Sequence, residues 1–87
     1  MPVRLVGIDP DTGKSGSPTA WVDEDEREIL LQGWDPSTKK LAEIHAAGHG
    51  PDHDNTIPDD ESVIRIPFRM IPVLRKACDD AERSQLR

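Results

Sequence analysis

Residues 19–34 read TAWVDEDEREILLQGW, and this stretch decides how the rest of the chain is interpreted. Thr19–Asp23 and Glu28–Trp34 are rich in the β-branched, aliphatic and aromatic side chains that favour strands. Glu24–Arg27, between them, is wholly polar and short enough for a tight connection. The stretch therefore predicts an antiparallel β-hairpin.

One more strand is predicted upstream of the hairpin, at Val3–Ile8. Arg4 is its only polar residue, so we expect this strand to be buried on both faces at the centre of a sheet. The next segment, Asp9–Ser17, consists almost entirely of turn-forming residues and is predicted to be a loop.

The first helix is predicted directly after the hairpin. Asp35 suits the N-cap, and Pro36 suits the first helical position, where its missing N–H costs nothing. Gly48 can adopt the left-handed conformation that often ends a helix. Residues 48–61 have no hydrophobic period and are predicted to be the most mobile part of the chain.

A fourth strand and a second helix are predicted for the last third of the chain. Val63–Ile66 has strand character and is closed by Pro67. Because Pro72 is disfavoured in a helix interior, we expect an irregular turn over 67–71 and a regular helix over about 72–84.

The resulting order is β-β-β-α-β-α, which predicts a single small α+β domain over residues 1–87. A right-handed crossover through the first helix would place the fourth strand beside the first, in the sheet order 3-2-1-4. An all-antiparallel sheet is the alternative. In both cases two helices pack on a small mixed or antiparallel sheet.

The chain is small and acidic, with 87 residues and a formal net charge of −6. Such a surface repels phosphate backbones, which argues against nucleic-acid binding. Six basic and three acidic residues give residues 62–87 a charge of +3, which leaves −9 for residues 1–61. The basic residues of the second helix are therefore free to contact either a partner or the acidic body.

Cys78 is the only cysteine, which predicts a reducing compartment and excludes an internal disulfide. Its place on the apolar face of the second helix favours a role as a small core residue. No apolar run approaches the roughly 18 residues of a membrane span, and the N-terminus lacks the apolar core of a secretion signal. We expect a cytoplasmic protein without membrane contact.

No complete catalytic or metal-binding constellation is present in the sequence. Gly7–Ser15 (GIDPDTGKS) has five residues between its glycines, where a phosphate-binding loop has four. His45, His49 and His53 are spaced at four, but glycine and proline residues between them interrupt the helix that would align them. The sequence therefore predicts a non-enzymatic protein without a cofactor or metal.

Four residues are the candidate partner-binding residues: Trp21, Trp34, Arg65 and Arg69. The two tryptophans fall on neighbouring strands of the predicted hairpin. There they form either a cross-strand core pair or an exposed anchor for a partner. The two arginines lie at the entry to the basic helix.

Residues 3–22 (VRLVGIDPDTGKSGSPTAWV) resemble the first hairpin of ribonuclease H-like resolvases, whose first strand ends in Gly-Ile-Asp-Pro-Gly-Thr. The resemblance implies a metal-binding role for Asp9. Asp11 stands where that family has glycine, and the family's further strands and acidic residues do not fit in 87 residues. The resemblance therefore implies a degenerate nuclease fragment.

Residues 63–82 (VIRIPFRMIPVLRKACDDAE) resemble the strand and first helix of a ribbon-helix-helix DNA-binding protein. This resemblance implies that Arg65 reads the major groove. The second helix of that fold has no counterpart here, and the acidic body would approach the phosphates.

Nearly the whole chain resembles a group of small actinobacterial proteins, through GIDPDTGKSGSPTAWVDED, LLQGWDPS and ESVIRIPFRMIPVLRKACD. Genes of that group often lie near helix-turn-helix regulators, which implies a regulatory accessory role with a transcriptional regulator as partner. We therefore expect a protein-interaction module, and a homodimer is compatible with the sequence. Nucleic-acid binding through 63–82 and nuclease activity through Asp9 are the alternatives.

Overall fold

The fold is built on a three-stranded antiparallel sheet. In the computed structural model, which describes residues 2–11, 13 and 16–85, β1 spans Val3–Ile8, β2 spans Thr19–Asp23 and β3 spans Glu28–Gln32. The strand order is β1-β2-β3, so β2 is central and pairs with both neighbours. The hairpin of β2 and β3 and the α+β class are confirmed.

The first strand lies at an edge of the sheet, whereas the sequence predicted a central position. Leu5, on the face away from the helix that packs on the sheet, is 51% exposed. The prediction was wrong. It relied on the rule that apolar side chains on both sides of a strand usually indicate burial on both faces. Here only one face of β1 is covered.

The predicted fourth strand at Val63–Ile66 is not shown. Within the described residues, this segment makes a single isolated antiparallel bridge, between Arg65 and Trp34. Pro67 follows directly and has no N–H with which to continue a ladder. The order 3-2-1-4 is therefore not observed either.

The chain divides into two compact units. Met1–Gly33 and Ile66–Arg87 form the first, here named the sheet unit, and Trp34–Arg65 forms the second, here named the bridge unit.

Helix α1, Thr38–Ala47, is the helix of the bridge unit. Its N-cap is Ser37, whose hydroxyl accepts a hydrogen bond from the backbone N–H of Lys40 at 3.1 Å. The predicted N-cap, Asp35, lies two residues too early. Ser37 stands directly before the helix, and its hydroxyl already accepts a backbone N–H of the first turn. The predicted stop is confirmed: Gly48 has φ 81° and donates its N–H to the Ile44 carbonyl.

The second helix begins irregularly, as predicted. A 3₁₀ turn over Phe68–Met70 leads into α2, which spans Ile71–Gln85. Pro72 is the second residue of α2, a position whose N–H would have no partner within the helix, so the proline is tolerated. Met70 is fully buried and anchors the turn.

Helix α2 covers one face of the sheet through small side chains. Ala20 and Val22 of β2 and Ala77 of α2 form the buried cluster, and Val6 and Val73 pack against it. Small residues at the contact let the helix approach the strands closely, and the buried apolar area stabilises the pair.

Gly7 sets how closely α2 can approach β1. A bulge between Leu5 and Gly7 directs two successive residues of β1 toward the helix. A Cβ atom on Gly7 would lie 2.9 Å from Cγ1 of Val73, well inside van der Waals contact. The sheet therefore requires glycine here for space.

Cys78 is exposed, whereas the sequence predicted a core position. The buried residue is its neighbour Ala77. One residue along a helix is a rotation of about 100°, so this difference moves the thiol from the sheet side to the water side. None of the helices in the described ranges has the length and apolar character that crossing a membrane requires.

Substituting Gly7 with alanine tests the close approach of α2 to β1. We expect Gly7→Ala to lower the free energy of unfolding by about 1–3 kcal/mol, because the added methyl overpacks against Val73. Urea unfolding measures the change. Gly13→Ala is the matched control, with no atom within 4 Å of its new Cβ. Equal stability of the Gly7→Ala and wild-type chains would contradict this account of the packing.

Candidate functional site

The sheet face opposite α2 carries an apolar row that runs across all three strands. Strand register places Leu5 of β1 beside Trp21 of β2, and Trp21 beside Leu30 of β3. These three residues are named the open row. Leu5 is 51% exposed and Leu30 is 38% exposed, with Trp21 partly exposed between them.

Alternation along β2 explains why the row lies on this face. Ala20 and Val22 point toward α2, so the intervening Trp21 must point to the opposite side. A half-covered tryptophan flanked by two leucines is a chemical environment typical of protein-binding surfaces.

The connection between β2 and β3 is strongly acidic. Residues 23–28 contain five acidic side chains and a single arginine, and they are named the acidic turn. Its backbone is held by Glu26, whose N–H donates to the Asp23 carboxylate at 3.0 Å. Arg27 adopts a left-handed φ of 58°, which closes the turn.

A groove of about 510 Å³ separates the acidic turn from the last turns of α2. Its aliphatic lining comes from Val22, Ile29 and Ala81, and most of its remaining wall comes from the acidic turn. The sheet unit thus presents apolar surface next to concentrated negative charge.

Asp9, the residue singled out by the resolvase resemblance, forms an ion pair with Arg69. The Asp9 side chain is fully buried, and its two carboxylate oxygens accept from Nε and Nη2 of Arg69 at 2.7 and 2.8 Å. The Asp9 carboxylate also accepts from the backbone N–H of Asp11 at 3.0 Å. The hydrogen bond to Asp9 is the largest cause that raises the pKa of the Arg69 guanidinium, and burial opposes it.

This geometry gives Asp9 a structural role that joins the end of β1 to the turn before α2. A buried carboxylate needs a partner, and the bidentate guanidinium of Arg69 supplies one. In the part of the chain that the structure describes, no three His, Cys, Asp or Glu side chains lie close enough to hold a metal ion.

A second ionic cluster lies around Asp80 on α2. The Asp80 carboxylate, whose side chain is 9% exposed, accepts from Lys76 at 3.0 Å, Arg83 at 3.1 Å and Arg4 at 3.2 Å. The hydrogen bond from Lys76 is the largest cause that lowers the pKa of the Asp80 carboxyl below its ordinary 3.8. Arg4 adds to the lowering, and partial burial opposes it.

The Asp80 cluster neutralises part of the positive charge of the C-terminal segment. Lys76 and Arg83 lie on the same helix as Asp80, while Arg4 reaches it from β1 and also contacts Glu24 at 3.3 Å. Two basic residues of α2 therefore pair with an acidic residue of their own helix, and Arg4 of β1 links this cluster to the sheet.

In the bridge unit, Trp34 and Arg65 form a local pair. Their backbones exchange two hydrogen bonds, of 3.0 and 2.7 Å, and the guanidinium carbon of Arg65 lies 5.3 Å from the centre of the Trp34 ring. Arg65 Nε also donates to the backbone carbonyl of Asp35 at 3.0 Å. Cation–π contact and backbone pairing together stabilise this bridge.

The three histidines do not share a helical face. His45 lies on α1, and His49 beyond it pairs through Nδ1 with the side-chain oxygen of Asn55 at 3.0 Å. Asn55 in turn donates to the backbone carbonyl of His45 at 2.9 Å. This arrangement closes the loop after α1 through the side chain of Asn55.

Of the four predicted partner-binding residues, the structure brings together only Trp34 and Arg65. The predicted cross-strand pair of tryptophans is wrong, because Leu30 is opposite Trp21 and Trp34 lies two residues beyond β3. Arg69 is the partner of Asp9. Of the four, Trp21 is the residue that lies on the open row.

Sequence reasoning missed Leu5 and Leu30, which complete the open row, and Phe68, which is 88% exposed. For Leu5 and Leu30 the signal was available: a strand at either edge of a sheet exposes its outer face unless a second layer covers it. Phe68 carries no such signal, because its exposure depends on the 3₁₀ turn that precedes α2.

No family model, curated protein or solved structure matches this chain. The resemblances to resolvases, to ribbon-helix-helix proteins and to small actinobacterial proteins therefore stay predictions.

A double-substitution cycle tests the structural role of Asp9. We expect Arg69→Met to lower the urea midpoint strongly, because it leaves the buried carboxylate without its guanidinium. Asp9→Asn should also destabilise. The double variant should be more stable than the sum of the two single effects predicts, since neither charge is then present. Strictly additive losses would contradict a direct pair.

The pH dependence of stability tests the Asp80 cluster. Because the pKa of Asp80 is lower in the folded chain, its contribution to stability is present above about pH 4 and is lost as the pH falls through the folded-state pKa. The free energy of unfolding of Asp80→Asn should therefore fall less than that of wild type between about pH 5 and about pH 2. Asp79→Asn, next to it on α2, is the control and should follow wild type. Identical pH profiles of Asp80→Asn and wild type would exclude the cluster as a source of acid sensitivity.

Proposed function

We propose that this chain is a non-enzymatic protein-interaction module that acts as an accessory to another cytoplasmic protein. The observation that carries the proposal is the open row: three large apolar side chains side by side, on the sheet face opposite α2. A small domain gains little stability from apolar side chains left in water, so such a row is best explained by a partner that covers it.

The row has the arrangement of a binding hot spot. Trp21 occupies its centre, where truncation usually costs a protein interface most, and the flanking Leu5 and Leu30 can exclude water from the contact. Tryptophan contributes a large contact area with little loss of side-chain freedom on binding.

The charges near the row indicate the chemistry of the partner. The acidic turn connects the two strands that carry Trp21 and Leu30, so a partner with an apolar centre and a basic rim fits this surface. A basic rim would accelerate association at low salt and lose this advantage as salt rises. A transcriptional regulator, the partner implied by the actinobacterial resemblance, is the first candidate to test.

Protein binding is favoured over the nucleic-acid alternatives by the contacts of the arginines. Arg69 is bound in a bidentate manner to Asp9, and Arg65 stacks on Trp34 and donates to a backbone carbonyl. Contact with DNA would have to break these interactions, next to an acidic surface that repels phosphate.

Affinity capture followed by titration tests the proposal. Immobilised wild-type chain is exposed to native lysate over a series of salt concentrations, and each captured protein is purified and titrated against the wild type and variants. We expect Trp21→Ser to weaken binding at least about 30-fold, the loss typical of a central hot-spot tryptophan. Leu5→Lys is the second variant in the open row. Leu5 lies on an edge strand, where we expect a substitution to disturb folding least.

Ile57→Ser is the matched control, since Ile57 is an exposed aliphatic residue of the bridge unit. It should bind like wild type, and circular dichroism confirms that each variant is folded. The proposal fails if no protein is captured specifically at any salt concentration. It also fails if folded Trp21→Ser and Leu5→Lys bind as tightly as wild type.

A further inference from the structure

The two edges of the sheet differ in how they are protected. Edge strand β1 is preceded by Pro2, carries the charged Arg4 and is interrupted by the bulge between Leu5 and Gly7. Proline, charge and bulges are the devices by which natural proteins prevent an edge strand from pairing with another chain. Edge strand β3, with the sequence EILLQ, has neither proline nor a bulge, and its single charged residue, Glu28, stands at its first position.

The less protected edge strand is exposed along its whole length. Every residue of β3 is exposed, and its three central residues, Ile29, Leu30 and Leu31, are 40, 38 and 41% exposed. Among the described residues, β2 is the only strand that pairs with β3. The edge of β3 that faces away from β2 can therefore accept a further strand.

We propose that β3 pairs with β3 of a second copy of this chain. The pairing is antiparallel about a two-fold axis through Leu30 and creates a continuous six-stranded sheet. An axis perpendicular to the sheet keeps both α2 helices on the same face.

The self-complementary sequence of β3 supports a second copy as the occupant. In this register Leu30 faces Leu30 of the second copy, Ile29 faces Leu31, and Glu28 faces the neutral Gln32. The two Glu28 carboxylates are then separated by roughly 13 Å along the strands, beyond the screening length of about 8 Å at physiological salt. No like charges are opposed.

The same register explains the exposure of Ile29 and Leu31 on the helix side of the sheet. Ile29 is opposite Val22 and Leu31 is opposite Ala20, so both point to the face that α2 covers, yet both are about as exposed as Leu30. In the dimer they form two apolar pairs in the space between the two α2 helices. The dimer also joins two open rows into one, but it does not depend on the proposed function, because a monomer retains its own row.

Sedimentation and native mass spectrometry test the dimer. Wild type should change from 9.7 kDa to twice this mass with increasing concentration, and salt should strengthen association because each copy carries a charge of −6. Leu31→Glu and Ile29→Lys each place an unpaired charge opposite an aliphatic residue of the second copy. Each should weaken self-association at least about 30-fold.

Mixing the two variants tests the register. Position 31 of one copy faces position 29 of the other, so Leu31→Glu and Ile29→Lys together should form a heterodimer that native mass spectrometry separates from both homodimers. A mixture of Leu31→Glu with Ile29→Glu should not. Val3→Glu is the matched control on β1, where Val3 is 42% exposed, and it should dimerise like wild type.

Two results would overturn the proposal. One is a wild type that remains at 9.7 kDa at all concentrations and salts. The other is a dimer that folded Leu31→Glu and Ile29→Lys leave intact. Either result leaves partner binding by Trp21 untouched, and loss of partner binding with an intact dimer would count against the proposed function alone.

Discussion

The packing of α2 against one face of β2 is the constraint on which the rest of the sheet unit depends. Ala20, Val22 and Ala77 make this contact, and Gly7 keeps room for it beside Val73. Because β2 alternates between its two faces, burying Ala20 and Val22 necessarily turns Trp21 to the other side. The apolar surface of the open row is thus a direct consequence of how the core is built.

Two ionic contacts hold the same packing in place from either end of β1. Arg4, near its start, binds Asp80 in the middle of α2, and Asp9, just after its end, binds Arg69 before α2 begins. Charges that resemble catalytic or nucleic-acid-binding groups in the sequence therefore serve to fix the helix on the sheet. The two surfaces on which the proposals rest, the open row and the edge of β3, are largely apolar.

Local sequence patterns predicted local structure well. They failed where contacts between residues distant in the sequence determine the structure. The β2–β3 hairpin, the stop at Gly48 and the irregular turn before α2 follow from short-range propensities that tertiary contacts did not override. The pairing of Asp9 with Arg69 spans sixty residues of sequence and leaves no periodic signal. Trp21 was predicted as a candidate partner-binding residue from its chemistry, but its neighbours in the open row required the strand register, which the sequence does not determine.

Hydroxyl-radical footprinting with mass spectrometry tests most directly whether α2 covers only one face of the sheet. The account predicts rapid labelling of Leu5, Trp21 and Leu30 in dilute protein, and protection of Val22. It also predicts protection of Met70, which is fully buried although methionine is a reactive side chain. Protection of Trp21, together with labelling of Val22 and Met70 as fast as in urea, would contradict it.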